Sequence, residues 1–310
     1  MPQNCNFLSV LLKKEIDKFG RYDFSTLVHL IKFRLPTAFS VICRTIKLKT
    51  HFILKVLVMR FFIGLLVLVL VSCGSDNIGD CFDSQGDIVE VTYELPAFTR
   101  LRSETDVIVY LKQGPVQKVV LKTGENMLSD AQIEVIDGDL LRLKNNKRCN
   151  LVRDYENFVV YVTTPNLTEI RNASGQDIIG EGVLEFPSLT LVSDTSFDSE
   201  GGPAQKSGNF HLEVESTNMV VRANGKSVFY LSGSTQNLNA NFANEGPRLE
   251  SRDLLIQNFV FSQTSANKMI VNPQASIKGS IFGTGDVISV NRPSVVEVEE
   301  LYTGRLIFED

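Results

Sequence analysis

The densest group of side chains that could do chemistry is a set of carboxylates, Asp194, Asp198 and Glu200, with Asp177 earlier in the chain. Grouped carboxylates can hold a calcium ion, or act as acid and base in the cleavage of polysaccharides. Residues 201–203 are Gly-Gly-Pro, which is typical of a turn. We therefore interpret the group as a solvated acidic corner, and we predict neither a catalytic site nor a metal site there.

Histidine is scarce in the part of the chain that could carry a catalytic site. His211 is the only histidine after residue 72, and no cysteine lies near it. A zinc site or a Ser-His-Asp triad would have to be built almost without histidine, so we expect His211 to be an exposed strand residue. The segment 283–286, Gly-Thr-Gly-Asp, lacks the lysine and helix of a phosphate-binding loop and is interpreted as a corner. The sequence thus predicts a protein that is not an enzyme and has no cofactor.

Aromatic side chains offer another way to bind a ligand. The candidates are Tyr155, Phe158, Tyr161, Phe229 and Tyr230. Aromatic rings on a surface can stack on sugars or grip a protein. Most of the five are expected in the core.

Cys73 follows a segment with the features of a secretion signal. Residues 59–72 begin with Met59 and Arg60 and continue with an apolar run, shorter than the roughly 20 residues that span a bilayer. Residues 70–73, Leu-Val-Ser-Cys, resemble the lipobox of bacterial lipoproteins, and this resemblance implies that Cys73 is acylated. Residues 73–86 would form a polar tether. The alternative is a transmembrane helix over residues 52–72.

The signal lies unusually far from the first residue of the chain. We suspect that translation starts at Met59, so that residues 1–58 are a mis-assigned upstream extension or, alternatively, a cytoplasmic segment. After cleavage before Cys73, only Cys81 and Cys149 would remain beside the acylated cysteine. An even pair in an oxidising compartment predicts a disulfide between them. The alternative is two free, buried thiols.

Charge is distributed unevenly along the 310 residues. Residues 1–72 carry eleven Lys and Arg against three Asp and Glu, whereas residues 74–310 carry twenty against thirty-three. Duplex binding depends on basic side chains that replace the counterions of phosphates. The acidic body therefore excludes nucleic acid as a partner.

Most of the acidic body has the pattern of short β-strands. Ile133 to Ile136 and Leu140 to Leu143 flank Asp137-Gly138, which predicts a tight hairpin. Only residues 125–131 have the pattern of a helical turn. The sequence therefore predicts an all-β fold whose N-terminal part is rich in hairpins.

From residue 165 onward short strands recur at intervals close to twenty residues. Alternation such as Phe210, Leu212 and Val214 would send one set of side chains inward. A repeat of this length suits a parallel β-helix, a solenoid in which each coil pairs with the next. A β-sandwich is the alternative architecture.

Several segments in order resemble the head GIN domain family, described as auto-transporter adhesins and common in lipoproteins of Bacteroidetes. The segments are Leu95 to Leu101, Val107 to Leu111, Val159 to Leu167, Asn172 to Gly175 and Gly283 to Val287. The resemblance covers nearly all of residues 87–310. It implies a right-handed parallel β-helix and a place in the cell envelope, and it brings no catalytic residues.

These expectations combine into a protein anchored to the outer membrane through the lipid on Cys73, facing the periplasm or the cell surface. We expect a non-catalytic binding or adhesion module for a glycan or a protein. The alternatives are a carbohydrate-active enzyme of the polysaccharide lyase or hydrolase type, and a structural envelope protein that associates with copies of itself. Three carboxylates and an arginine in one groove would favour the enzyme, whereas exposed aromatic rows would favour binding.

Overall fold

The computed structural model describes residues 59–61, 63, 85–146, 158–194 and 205–309. The chain divides into two compact units, Met1–Ile78 and Gly79–Asp310. Of the first unit, residues 59–61 and 63 are described and are helical. Among all described residues, no helix is both long enough and apolar enough to cross a membrane.

The described part of the second unit is built from strands. These are β1 (Ile88–Tyr93), β2 (Arg100–Glu104), β3 (Ile108–Gln113), β4 (Lys118–Gly124), β5 (Ala131–Ile136), β6 (Leu140–Asn145), β7 (Val159–Thr164), β8 (Glu169–Ala173), β9 (Ile178–Leu184), β10 (Ser188–Ser193), β11 (Phe210–Ala223), β12 (Val228–Phe242), β13 (Arg248–Gln263), β14 (Met269–Ile281), β15 (Val287–Ser289), β16 (Val295–Glu300) and β17 (Leu306–Phe308). A 3-10 helix, Glu125–Asp130, precedes β5. The prediction of an all-β fold and of one helical turn after residue 124 is confirmed.

The prediction of a right-handed parallel β-helix is wrong. All the strands belong to one sheet of mixed direction, in which β1 and β4, β4 and β7, and β5 and β6 pair antiparallel. Strands β2 and β3 each pair with two later strands, so the N-terminal part of the sheet folds back on itself instead of advancing coil by coil. The physical reason is that hairpins reverse the chain in the N-terminal part, and a repeat length alone does not reveal strand direction.

One reversal is the predicted hairpin between β5 and β6. Asp137 and Gly138 both have positive φ, at 51° and 84°. Two successive residues of this kind form the turn whose twist matches that of the flanking strands. The prediction of a tight hairpin at Asp137-Gly138 is therefore confirmed. The effect of such chain reversals on the direction of strands in the whole sheet was not predicted.

The longest strands, β11 to β14, pair parallel and in order. Residues of equivalent position stack across these strands and the two that follow: Phe210, Phe229, Leu249, Met269, Val287 and Leu306. All but the last are fully buried. Because successive side chains of a strand point to opposite faces, the neighbouring residues of β11 to β13, which are His211, Tyr230 and Glu250, form a second row on the outside.

Candidate ligand-binding groove

The outer row of β11 to β13 lines an open groove of about 480 Å³. Its lining residues are His211, Leu212, Glu213, Tyr230, Leu231, Ser232, Glu250, Arg252 and Asp253. Most are polar or charged, and Tyr230 is 43% exposed. A concave surface that combines an aromatic ring with several polar groups is the usual form of a ligand site.

The groove coincides with a position where β13 carries one extra residue. Tyr230 of β12 pairs with Glu250, but Gly233 pairs with Leu254, so β13 has one residue more than its partner. Such a bulge bends a strand and redirects its side chains. Here it leaves Arg252 and Asp253, two successive residues, both exposed.

The strand on the other side of β11 is also irregular. His211 pairs with Ile179 of β9, whereas Glu213 pairs with Val183, so residues 180–182 lie opposite Leu212 alone and β9 has two residues in excess. Gly182 has a φ of 83°, a conformation that L side chains rarely adopt. The floor of the groove, β11 and β12, therefore lies between two strands that bulge.

Two rings form the centre of the floor. His211 and Tyr230 stack with a centroid distance of 4.6 Å and an interplanar angle of 12°. Nε2 of His211 lies 3.1 Å from Oδ2 of Asp177, and Oδ1 of Asp177 accepts a hydrogen bond from the backbone N–H of Asn209 at 2.8 Å. The carboxylate of Asp177 therefore holds the imidazole, and the imidazole supports one face of the Tyr230 ring.

Two charged residues of the groove have ionic partners. The guanidinium of Arg252 donates hydrogen bonds to both carboxylate oxygens of Glu309, one of them at 2.8 Å, and Arg248 pairs with Glu250. The hydrogen bonds with Glu309 raise the pKa of Arg252, and the same bonds lower the pKa of Glu309. Arg252 therefore stays charged and fixed against the C-terminal segment.

The carboxylates of the groove do not form a metal site. Glu213, Glu250 and Asp253 all line it. Within the residues that the structure describes, no group of three or more His, Cys, Asp and Glu side chains converges closely enough to hold a metal ion. The carboxylates can instead accept hydrogen bonds from a ligand, because an ionised carboxylate offers acceptors only.

The acidic group considered from the sequence is only partly described. Asp198 and Glu200 lie outside the described residues. Asp194 accepts a hydrogen bond from Arg171 at 2.8 Å, and Asp177 contacts His211. Each of these two carboxylates thus has its own cationic or imidazole partner. In addition, Asp177 supports the groove, a role that sequence reasoning did not give it.

Among the described residues, the aromatic side chains proposed as a binding surface point to different faces of the sheet. Phe158 and Phe229 are buried in the core. Tyr161 is half-buried and stacks on Tyr110 at 5.3 Å, and Tyr230 is exposed in the groove. Tyr155 lies outside the described residues. The expectation that most of these rings belong to the core therefore fits Phe158 and Phe229 but not Tyr230.

Sequence reasoning missed Glu213, Arg252 and Asp253. A signal for the last two was present, because Arg252-Asp253 is one of two places where the alternation of exposed and buried residues in β13 is interrupted, the other being Gln257-Asn258. Two successive polar residues within an apolar strand are typical of a bulge. Nothing comparable marked Glu213, which has the pattern of any outward strand residue.

The three cysteines to which roles were assigned, Cys73, Cys81 and Cys149, lie outside the described residues. Acylation of Cys73 and the disulfide between Cys81 and Cys149 therefore remain predictions.

Residues 97–293 match the protein family described as "Putative auto-transporter adhesin, head GIN domain". Three solved structures have a similar fold, and each is described as a putative adhesin. That from Bacteroides fragilis has a TM-score of 0.63 and 18% identity, covering 72% of this chain and 97% of its own. The structure from Parabacteroides merdae has a TM-score of 0.53 and 13% identity, and the match covers 73% of this chain and 97% of its own. The structure from Parabacteroides distasonis has a TM-score of 0.52 and 12% identity, and the match covers 72% of this chain and 98% of its own. No curated protein sequence matches the chain.

Proposed function

We propose that this chain, which belongs to the head GIN domain family, is a non-catalytic binding or adhesion module of the cell envelope. The module holds a glycan or a protein in the groove beside Tyr230. An adhesin needs an accessible surface with both apolar and hydrogen-bonding groups. The groove supplies both, and it lies on the paired strands β11 to β13.

The observation that carries this proposal is the exposed ring of Tyr230 on the groove floor. Here His211 stacks on the ring and Asp177 contacts His211, so the ring is fixed before a ligand arrives. Fixing a contact residue in advance lowers the entropy that binding costs.

The proposal includes the anchor predicted from the sequence. A mature chain that begins at an acylated Cys73, with residues 73–86 as a tether, would attach the folded part to the outer membrane on its periplasmic or outer side. Family membership and the neighbours described as adhesins support an envelope location. In this arrangement residues 59–72 are the cleaved signal and residues 1–58 precede it.

Retention on coated surfaces tests the binding site. Full-length protein is passed over immobilised yeast mannan, chitosan and non-glycosylated casein, as wild type and as Tyr230→Ala. We expect retention on at least one of these coats and about a tenfold weaker affinity for Tyr230→Ala, which corresponds to about 1.4 kcal/mol. Tyr302→Ala is the matched control, since Tyr302 is 59% exposed but does not line the groove.

The control should bind as wild type does. Retention on none of the coats, or equal retention of wild type and Tyr230→Ala, would overturn the groove as the binding site. Loss of binding in Tyr302→Ala together with Tyr230→Ala would show that tyrosine removal acts on the fold as a whole.

A carbohydrate-active enzyme is the second candidate, because the groove contains three carboxylates and Arg252. Two facts make it the weaker one. Arg252 is bound to Glu309 and Glu250 to Arg248, so neither is free to act on a substrate, and the carboxylates do not converge on a common ion. Release of reducing ends from mannan or chitosan by wild type, and its loss in Asp253→Asn, would establish the enzyme instead.

A further inference from the structure

The charges that remain unpaired in the groove restrict its ligand. Glu213 and Asp253 line the groove and are exposed. In the described part of the chain neither has an ion pair, whereas the charges of Glu250 and Arg252 are neutralised by Arg248 and Glu309. The groove therefore carries an excess of negative charge at neutral pH.

These two carboxylates lie on either side of β12. Glu213 is directly opposite Ser232 in the pairing of β11 with β12, and Asp253 belongs to the bulge of β13 on the other side of the same strand. The hydroxyl of Ser232 and the ring of Tyr230 lie between them on the floor. A ligand in the groove would thus meet acceptors at both sides and an aromatic ring in the middle.

Acceptors on both sides require a ligand that brings donors. Sugar hydroxyls and amino groups are donors, and the carbon-bound hydrogens of a sugar ring pack on an aromatic face. Uronates, sialic acids and sulfated sugars bring negative charge, which like charges at the rim repel. A flat protein surface would not fill a groove of about 480 Å³ unless a side chain or loop entered it.

We propose that the groove binds a glycan that is uncharged or carries amino groups, with one sugar ring against Tyr230 and its donors directed at Glu213 and Asp253. This inference rests on the proposed function and narrows its ligand to one class. The groove itself is the site, and the two carboxylates set which glycans it accepts.

An array of glycans tests the class. Full-length wild-type protein is applied to neutral, amino-bearing and acidic glycans that share backbones, for example chitin, chitosan and oxidised chitin oligosaccharides of equal length. We expect binding to neutral or amino-bearing members and at least roughly tenfold weaker binding to their acidic counterparts, as expected for like charges at contact distance. Binding to amino-bearing members should weaken as salt is added, because salt screens exposed charges.

A double variant, Glu213→Gln with Asp253→Asn, should reduce the difference in affinity between neutral and acidic glycans to less than about threefold. Its matched control, Glu94→Gln with Glu299→Gln, removes the same charge at exposed positions outside the groove and should leave the difference unchanged. Preference for acidic glycans, or an unchanged difference in the double variant, would overturn the inference.

The two proposals fail in different ways. If acidic glycans bind and Tyr230→Ala abolishes that binding, the groove is a binding site and only the ligand class is wrong. If the protein is retained on casein alone and Tyr230→Ala abolishes that retention, the ligand is a protein and the glycan inference is wrong. If Tyr230→Ala changes nothing on any surface, both proposals fall together.

Discussion

Arg252 and Glu309 are 57 positions apart in the sequence, yet their side chains form a double hydrogen bond. The pair joins the bulge of β13 to the residue that follows β17. Because Arg252 and Asp253 are adjacent, this contact also fixes the backbone that presents Asp253 to the groove. A carboxylate beyond the last strand thus helps to shape a site built on the middle strands.

The side chain of Arg252 should control the titration of Glu309. Hydrogen bonding to Arg252 lowers the pKa of Glu309 below its ordinary value of 4.5. We expect Arg252→Gln to move this pKa up towards the ordinary value, as measured by NMR titration of the carboxyl carbon. Arg248→Gln, on the same strand, is the control and should leave the pKa of Glu309 unchanged.

The lowered pKa of Glu309 makes the folded state less stable in acid. A carboxyl with a depressed pKa in the folded state stabilises that state above the pKa of the unfolded chain, and this contribution is lost as the pH falls through the folded pKa. Wild type should therefore lose more stability than Arg252→Gln when the pH is lowered from neutral to below 4.5. Parallel curves for the two proteins would contradict the assignment.

At the scale of elements, β11 and β12 each have one row of buried residues and one row that faces outward. Phe229 and Tyr230 are neighbours in β12, but Phe229 is fully buried against Phe210 at 4.7 Å, whereas Tyr230 faces the groove. The inward set Phe210, Leu212 and Val214 was predicted correctly from alternation alone. Alternation works there because a strand has a period of two and one of its faces packs in the core.

This division predicts opposite results for two adjacent truncations. Phe229→Ala should lower the free energy of unfolding by about 3–5 kcal/mol, because it leaves a cavity in the core. Tyr230→Ala should lower it by at most about 1 kcal/mol, the usual value of a cross-strand contact such as that with His211. Urea denaturation followed by circular dichroism measures both. Similar losses in the two variants would mean that Tyr230 is a core residue.

Alternation predicted much less about the groove. The positions that shape it are those where neighbouring strands differ in residue number, such as 251–253 of β13 against two residues of β12. Register shifts of this kind depend on which strands pair, and pairing depends on contacts distant in sequence. The same cause explains the wrong prediction of a β-helix: the Asp137-Gly138 turn was visible, but the antiparallel partners of β4 were not.

A ladder of amides runs along the outside of the long strands. Nδ2 of Asn237 donates to Oδ1 of Asn218 at 3.0 Å, and Nδ2 of Asn258 donates to Oδ1 of Asn237 at 3.2 Å. Ser276 extends the ladder by donating to Asn258 at 2.9 Å. Because Asn237 and Asn258 each bond to the strands on both sides, the ladder favours the parallel register of β11 to β14.

Removal of the central amide should weaken this register. Asn237→Ala breaks both bonds and should lower the free energy of unfolding by about 1 kcal/mol, the net value of exposed hydrogen bonds. Asn239→Ala is the matched control, since Asn239 is an exposed asparagine of the same strand for which the structure gives no side-chain hydrogen bond; it should change stability by less than about 0.5 kcal/mol. Equal effects of the two variants would show that the ladder adds nothing.

At the scale of the whole molecule, we expect the segment before residue 74 to decide how the folded part is attached to the membrane. An acidic body from residue 74 onward follows a basic segment, and a short apolar run ends at Cys73 between them. A signal that is cleaved would leave a lipid as the anchor of a binding module, and the groove could then face outward beyond the predicted tether. An uncleaved segment would instead keep the basic residues attached to the chain.

Intact mass of the protein extracted from membranes separates these cases. We expect a chain that begins at Cys73 and carries acyl groups, and reduction should add one hydrogen each to Cys81 and Cys149, because these two sulfurs are expected to be bonded. Cys73→Ser should lose both the acyl mass and partitioning into detergent. Cys149→Ala, the matched control, should keep the acyl mass but show no change on reduction. A wild-type mass that still includes residues 1–72 would contradict the lipid anchor and would place a peptide segment, not a lipid, between the membrane and the groove.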